Sequence, residues 1–480
     1  MALIATDHID TAVSVAGEGS GAEQASSSTA IQRWIRFLQA PVDGASLSIF
    51  RICFAACMLV NQTVFGDKFI LGIAAPSFHF SYIPGMPVPS EPQMQVLLLA
   101  MDVMAVLIGL GFLYRPACAL FFMSYTYLFL CEKMLYQNHA YLSCLVAFWL
   151  LLAPAHRNFA VDNFKGRMPR TVPRWSVLIF KLQIAIVYFY AGITKLNPEW
   201  LRGQPQTAWL QGRAALPIIG PIVSQSWFVP IVTFGGIAVD LSMGFLLFAK
   251  RTFPMAAIAA LSFHLLNSCL WQIDFFPWFM IATIGLFAPY DWPRKALYDI
   301  GARGKVTEPV SSNVETPSPD SSTSLWNGKA TVALLVLFHA YLLVQLTVPL
   351  RRFFYPGDMN WTNQGHRFCW SMMARRATVY LFKMRAIDPH THETQLIDNS
   401  EYLTDHQLQY MAMRPDMILQ YSLFIAEKLE KSWGVRPIIH VKSVIQFNDH
   451  RPQLLINPHV DLASQKPSLA PATWILPLKD

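Results

Sequence analysis

Apolar runs dominate the chain and repeatedly approach the roughly 20 residues that a membrane-crossing helix requires. They predict spans near 44–64, 93–113, 116–134, 138–154, 176–196, 228–249, 253–272, 275–290 and 327–349, the eighth of them short. An amphipathic approach, Trp34 to Leu38, precedes the first. From about residue 360 the periodicity changes. VYLFKMRAID, THETQLID and IIHVKSVIQFNDHRPQLLI alternate or carry β-branched and aromatic runs, with polar turns such as Asn448 to His450 between them and one helix near 414–430. The pattern predicts an α-helical polytopic membrane protein of about nine spans with a C-terminal extramembrane β-rich domain.

Composition divides the chain further. Residues 1–33 are mostly rich in Ser, Ala and Gly, carry acidic residues and lack an apolar core, so they predict a disordered cytoplasmic tail rather than a signal peptide. A transmembrane domain over 34–350 contains a Pro/Ser-rich flexible linker at 301–325, and 351–480 forms the outer domain, large enough for its own core. Arg33 and Arg36, Arg115, the run Arg157 to Arg174, Lys250 and Arg251, and Arg294 to Lys305 all fall on one side of a nine-span path. That side is the cytoplasm, which puts the N-terminus inside and the C-terminal domain outside, periplasmic in a bacterium or lumenal in a eukaryote.

With 53 % hydrophobic and 14 % charged residues and a mean hydropathy of +0.33, the chain belongs in a lipid bilayer. Its net charge of +7 sits beside span ends, which excludes nucleic acid as the partner. Among 7 cysteines no CxxC or Cys/His spacing suggests a metal site, and none is expected. Cys53, Cys57, Cys118, Cys144 and Cys269 lie in apolar spans, whereas Cys131 and Cys369 fall on the outer side and leave a disulfide open.

The chemistry centres on KLQIAIVYFYAGITKLNPEWLRGQP, residues 181–205. Lys195 there either snorkels to the headgroups or points into a protein-lined pocket, where a desolvated amine becomes a general base. Tyr188, Ala191 and Gly192 share its helix face and leave room for a flat molecule or a neighbouring helix. His139 opens the fourth span on the outer side; His264, Asn267, Ser268 and Trp271 share one face of the seventh. Convergence of His139, Lys195 and His264 would make a buried polar site, although each histidine alone also reads as an interfacial or core residue. Mid-span Asp240 requires a hydroxyl or basic partner and reads as structural, and Asp102 is a weaker signal.

Eight segments in order resemble the vitamin K-dependent gamma-carboxylase family: NHAYL at 138–142, IVYFYAGITKLNPEWLRG at 186–203, GGIAVDLSMGFLL at 235–247, FHLLNS at 263–268, APYDWPRKAL at 288–297, NWTNQGHRFCWSMM at 360–373, PDMILQY at 415–421 and NDHRPQLLINPHVDLA at 448–463. The resemblance implies that Lys195 is the catalytic lysine and that His139 and His264 support it. It implies vitamin K hydroquinone (reduced menaquinone or phylloquinone), dioxygen and carbon dioxide as co-reactants, and a glutamate-containing protein or peptide as substrate. Tyr188, Gly192, Asn267 and Trp271 are the candidates for holding the isoprenoid quinone. No side chain is basic enough for an unactivated γ-carbon, so the base must arise in place, shielded from water. Two departures stand out. Arg352 occupies the position of a histidine in the animal enzyme, and the chain is shorter, without the animal C-terminal extension, as expected of a bacterial-type relative with its own substrate. Two other readings remain: a quinone-modifying oxidoreductase without carboxylation, and a non-enzymatic transport or anchoring module.

Overall fold

The computed structural model describes residues 30–74, 76–271, 273–300 and 328–479. The linker expected at 301–325 lies outside them, as does the expected tail apart from its last residues, which begin a helix at Ala30. In chain order the elements are α1 (Ala30–Gln39), β1 (Pro41–Asp43), α2 (Ala45–Phe69), α3 (Glu91–Leu110), α4 (Tyr114–Cys131), α5 (Asn138–Leu152), β2 (Thr171–Pro173) and α6 (Trp175–Lys195). Short helices α7 (Pro198–Leu201), α8 (Gln206–Gln211) and α9 (Gly220–Val223) lead to α10 (Phe228–Leu246), α11 (Phe253–Leu270), α12 (Phe276–Phe287), α13 (Trp292–Asp299) and α14 (Lys329–Thr347).

Each predicted apolar run is a helix, and among the described residues six helices are long and apolar enough to cross a membrane. The other three fall short for separate reasons. α4 has 18 residues, but its tyrosines with Ser124 and Thr126 dilute its apolar character; α5 and α12 have only 15 and 12 residues. Burial ranks the candidates. The window over α6 is 67 % buried, against 17 % for the one that begins with α14, so the lysine-bearing helix is central to the bundle.

α6 packs along α10 through glycines, as closely approaching membrane helices do. A Cβ on Gly192 would lie 2.6 Å from Leu241 Cδ2 and 3.0 Å from its backbone nitrogen, and one on Gly244 would lie 3.1 Å from Ala185 O. α6 stops after Lys195, where Asn197 accepts a bond from Trp200 N at 3.0 Å and Pro198 starts α7. This cap turns the chain sharply beside the amine.

The C-terminal region is α+β rather than β-rich. It contains α15 (Met359–Thr362), β3 (Ala377–Ile387), β4 (Thr394–Leu396), α16 (Asp405–Ala412), α17 (Pro415–Trp433), β5 (Ile438–Phe447) and β6 (Gln453–Leu454). Its antiparallel sheet has the order β4-β3-β5-β6. β3 and β5 pair from Ala377↔Phe447 to Ile387↔Ile438 with an irregularity at Val379/Leu381. The predicted outer strands shrink to 3 and 2 residues, because few of their side chains find a face to cover and Pro452 and Pro458 flank the second. α17, with Met417, Ile418, Tyr421 and Ile425 buried, ends at Gly434 with φ +73.

Cys131 and Cys369 are free thiols. Cys369 Sγ donates to Gly365 O at 2.8 Å and Cys131 Sγ lies 4.0 Å from Pro87 O, so the disulfide left open by the sequence is not formed.

Phe80 and Met134, from connections between the helices, enter the core of the C-terminal region. Between them Glu132 is fully buried and accepts from Phe80 N at 3.2 Å, Met134 N at 3.0 Å and Gln407 Nε2 at 3.2 Å. Burial outweighs these bonds and pushes its carboxyl from 4.5 up to about 7.

Two outcomes follow from this packing. Gly192→Ala is expected to destabilise the protein by about 1–3 kcal/mol through overpacking against α10, measured by thermal unfolding in detergent. For Glu132, a raised folded pKa means that the fold favours the protonated form, so the cost of ionisation grows as pH rises from 4.5 and is complete above about 7. The melting temperature of the wild type should therefore fall between pH 5 and pH 8 relative to that of Glu132→Gln; parallel curves would show that Glu132 does not titrate at this interface.

Candidate functional site

Lys195 is 6 % exposed and Asp240, from the middle of α10, is 4 % exposed. Lys195 Nζ donates to Asp240 Oδ2, reaches Ala191 O at 3.4 Å and lies 5.1 Å from the centre of the Trp200 ring. The amine therefore turns inward instead of snorkelling. Asp240, read from the sequence as a structural residue, is the partner that holds it there, which satisfies the requirement of a mid-helix carboxylate for a basic side chain. Trp200 is itself fixed by Nε1 donating to Thr233 O of α10 at 3.0 Å. Both ends of the pair are thus anchored to one helix.

A cavity of about 290 Å³ opens beside the pair. His139, Tyr188, His264, Asn267 and Trp271 line it together with Lys195 and Asp240, so the structure brings the three catalytic candidates around one space. Gly192 is the exception, since its open side is filled by Leu241 of α10. Arg352 does not line the cavity either. His264 Nε2 lies 2.6 Å from Tyr188 Oη, and its Nδ1 has no protein partner among the described residues. With the tyrosine O–H donating to Nε2, the imidazole proton resides on Nδ1. His139 stacks on Phe276 with centroids 5.7 Å apart, meets Phe275 edge-on at 5.1 Å and has Nε2 3.9 Å from Asp274 Oδ2. Asn267 Oδ1 accepts from Trp271 Nε1 at 3.2 Å.

Sequence reasoning missed Gln206, Trp200 and Trp209, which also line the cavity. Trp200 ends the NPEW cap itself, and Gln206 and Trp209 sit on α8 just beyond it, a helix of 6 residues, too short for a period to mark its face in the sequence. It missed the roof as well. Ser371, Met372 and Met373 of the C-terminal region close the cavity, and Asn138 Nδ2 donates to Ser371 O at 2.7 Å.

A second contact ties that region to the lysine segment. Glu199 on α7 is 4 % exposed and accepts from Asn448 Nδ2 at 2.9 Å, with His450 Nε2 at 3.2 Å and Arg202 on its other oxygen. Burial opposes its ionisation, yet the bonds from Asn448, His450 and Arg202 hold its carboxyl below the ordinary value. Asn448, in the left-handed region at φ +49, also bonds Arg376 N and Arg376 O at 3.0 and 2.9 Å. Donor atoms of Glu199, Asp449 and His450 lie within 4.8 Å of one another. The oxygens of Glu199 are already committed to protein donors, so the group acts as a clamp between the two regions.

Residues 39–292 match the family model for the HTTM domain, and residues 330–480 match that for the vitamin K-dependent gamma-carboxylase, lumenal domain. A helical membrane region of the first kind, with its buried lysine–carboxylate site roofed by a region of the second, defines the class. The chain belongs to the vitamin K-dependent gamma-carboxylase family. No solved structure matches it.

Removing one member of a buried ion pair leaves an uncompensated charge and costs about 3–5 kcal/mol. Asp240→Asn should carry a penalty of this order in the wild type and much less in a Lys195→Met background. Unfolding of the four members of this double-mutant cycle in detergent measures the coupling; additive effects would mean that the pair is not a stabilising unit.

Proposed function

We propose that the protein oxidises vitamin K hydroquinone to its epoxide and couples this to gamma-carboxylation of glutamate residues in a protein or peptide, consuming dioxygen and carbon dioxide. The observation that carries this reading is the inward-turned amine of Lys195, held by Asp240 in a cavity that it shares with two imidazoles. Family membership supplies the substrate class, and the quinone and the coupled carboxylation are inferred from it. In this reading the six long apolar helices together with α4, α5 and α12 make nine crossings, with residues 1–33 as a cytoplasmic tail, 34–350 as the transmembrane domain and 351–480 as an outer domain.

The lining suits a quinone ring. Val187, Val232, Phe263, Phe276 and Met280 are apolar walls, while His264 Nδ1 and both amide atoms of Gln206 are buried without a partner among the described residues. A volume of about 290 Å³ is at the low end of small-molecule sites, which leaves room for a ring headgroup rather than a whole isoprenoid chain. Tyr188, His264, Asn267 and Trp271 would hold that headgroup. Once bound, the hydroquinone supplies, with dioxygen, the oxidative energy that generates a base strong enough to take a γ-proton from glutamate, before carbon dioxide adds.

The side chains have narrower tasks. Once its proton has passed to Asp240 Oδ2, Lys195 Nζ is a neutral amine and accepts the proton of the ring hydroxyl. Asp240 aims the amine and offers a second resting place for a proton: moving one along this bond leaves the net charge of the pair unchanged, which matters where isolated charges are costly. His264, fixed through Nε2 by Tyr188, presents Nδ1–H to an oxygen. The aromatic walls and the methionine roof keep water away from the base.

Purified protein in detergent, supplied with vitamin K hydroquinone and a glutamate peptide, is expected to form the epoxide. Lys195→Ala should lose at least about 100-fold of this activity, the scale of a general base. Undiminished turnover in Lys195→Ala would remove the assignment. Epoxide formation with no added carboxyl on the peptide by mass spectrometry would leave a quinone oxidoreductase.

A further inference from the structure

Beyond the catalytic cavity lies a second one of about 380 Å³, and the two share Trp209, Trp271, Ile273 and Met373. Their character differs. The second contains Arg213 and Arg376, and neither guanidinium is paired with a carboxylate among the described residues. Between the two spaces Trp209 and Trp271 meet edge to face with centroids 5.7 Å apart. A basic vestibule thus adjoins an apolar chamber across an aromatic partition.

One short segment connects the compartments. Gln206, the first residue of α8, is 0 % exposed, lines the inner cavity and has no partner for Nε2 or Oε1 among the described residues. Trp209 follows at i+3 in the partition. Arg213 follows at i+7 in the vestibule, its backbone nitrogen donating to Leu210 O at 2.9 Å. Gln206 and Trp209 share a face of α8, and Arg213 lies in the turn that follows it, so the side chains form a graded path from a cationic mouth, past an aromatic ring, to a buried amide. A buried amide without partners costs free energy in the empty protein and is offset only by a ligand that bonds to it.

We propose that this path docks an acidic peptide: Arg213 and Arg376 grip a carboxylate next to the target residue, and the target side chain passes Trp209 and Trp271 to hydrogen-bond with Gln206. The inference rests on the peptide half of the proposed function and adds which residues read the peptide. An anionic side chain entering an apolar chamber needs a donor at its end, and Gln206 Nε2 provides one where Lys195 is already engaged by Asp240. A phosphate from a phospholipid headgroup would suit the arginines equally well, but it would leave Gln206, on the far side of the partition, unsatisfied.

The test is equilibrium binding, independent of turnover. Two dye-labelled peptides, identical except that the residue beside the target glutamate is Glu or Gln, are titrated against the detergent-solubilised full chain by fluorescence anisotropy. The acidic-flanked peptide should bind roughly tenfold more tightly to the wild type, and this preference should fall to within about twofold in Arg213→Gln/Arg376→Gln and return in Arg213→Lys/Arg376→Lys. Gln206→Leu should weaken both peptides while leaving their ratio intact. Equal affinities for the wild type, or a preference that survives loss of both arginines, overturns the dock, and wild-type affinity in Gln206→Leu overturns its inner contact. Arginine-dependent binding of phosphatidylglycerol micelles with no peptide preference also overturns it, in favour of a lipid headgroup. If the peptide preference holds but mass spectrometry finds no added carboxyl, the dock stands and the carboxylation reading falls; carboxylation with equal affinities removes the dock and leaves the reaction in place.

Discussion

A cation and an anion are removed from water together where α6 meets α10, and the rest of the site is arranged around that fact. Neither Lys195 nor Asp240 is tolerable alone at this depth, so each fixes the rotation of the helix that carries the other. The glycines at 192 and 244 let the two backbones come close enough for the bond to form. Because the amine is held at the end of α6, the chain must turn immediately. The turn delivers Trp200 onto the lysine and Glu199 towards the C-terminal region, and local helix chemistry thereby fixes how two distant parts of the chain meet.

Much of this was legible in the amino-acid order. Periodicity located the apolar helices among the described residues and the face shared by His264, Asn267 and Trp271, because helical spacing and the cost of polar groups in lipid act locally. The partner of Asp240 was not legible, since 45 residues separate it from Lys195 and only packing decides which helices touch. Gly192 shows the complementary failure. A small residue on the right helix face signals open space and close helix contact equally well, and here the space is filled by Leu241. Gln206 and Trp209 escaped because α8 has only 6 residues, too few for a period to point to a face. In the C-terminal region β3 and β5 were evident from alternation, whereas the marginal strands were overestimated, because what β-propensity measures is largely the presence of a neighbour to pack against.

The two adjoining spaces differ in their charges: the inner one holds a lysine already paired with a carboxylate, and the outer one two arginines. A buried amide and an unbonded imidazole nitrogen reward a ligand with fixed geometry more than disordered solvent.

The roof made by Ser371, Met372 and Met373 has a consequence for biosynthesis. The helices that carry Lys195, Asp240 and both histidines are all made before residue 290, yet the lining residues Ser371 to Met373 come more than eighty residues later, and Asn448, which bonds Glu199, later still. A chain translated only as far as residue 290 therefore carries all of these side chains without the wall that completes their cavity.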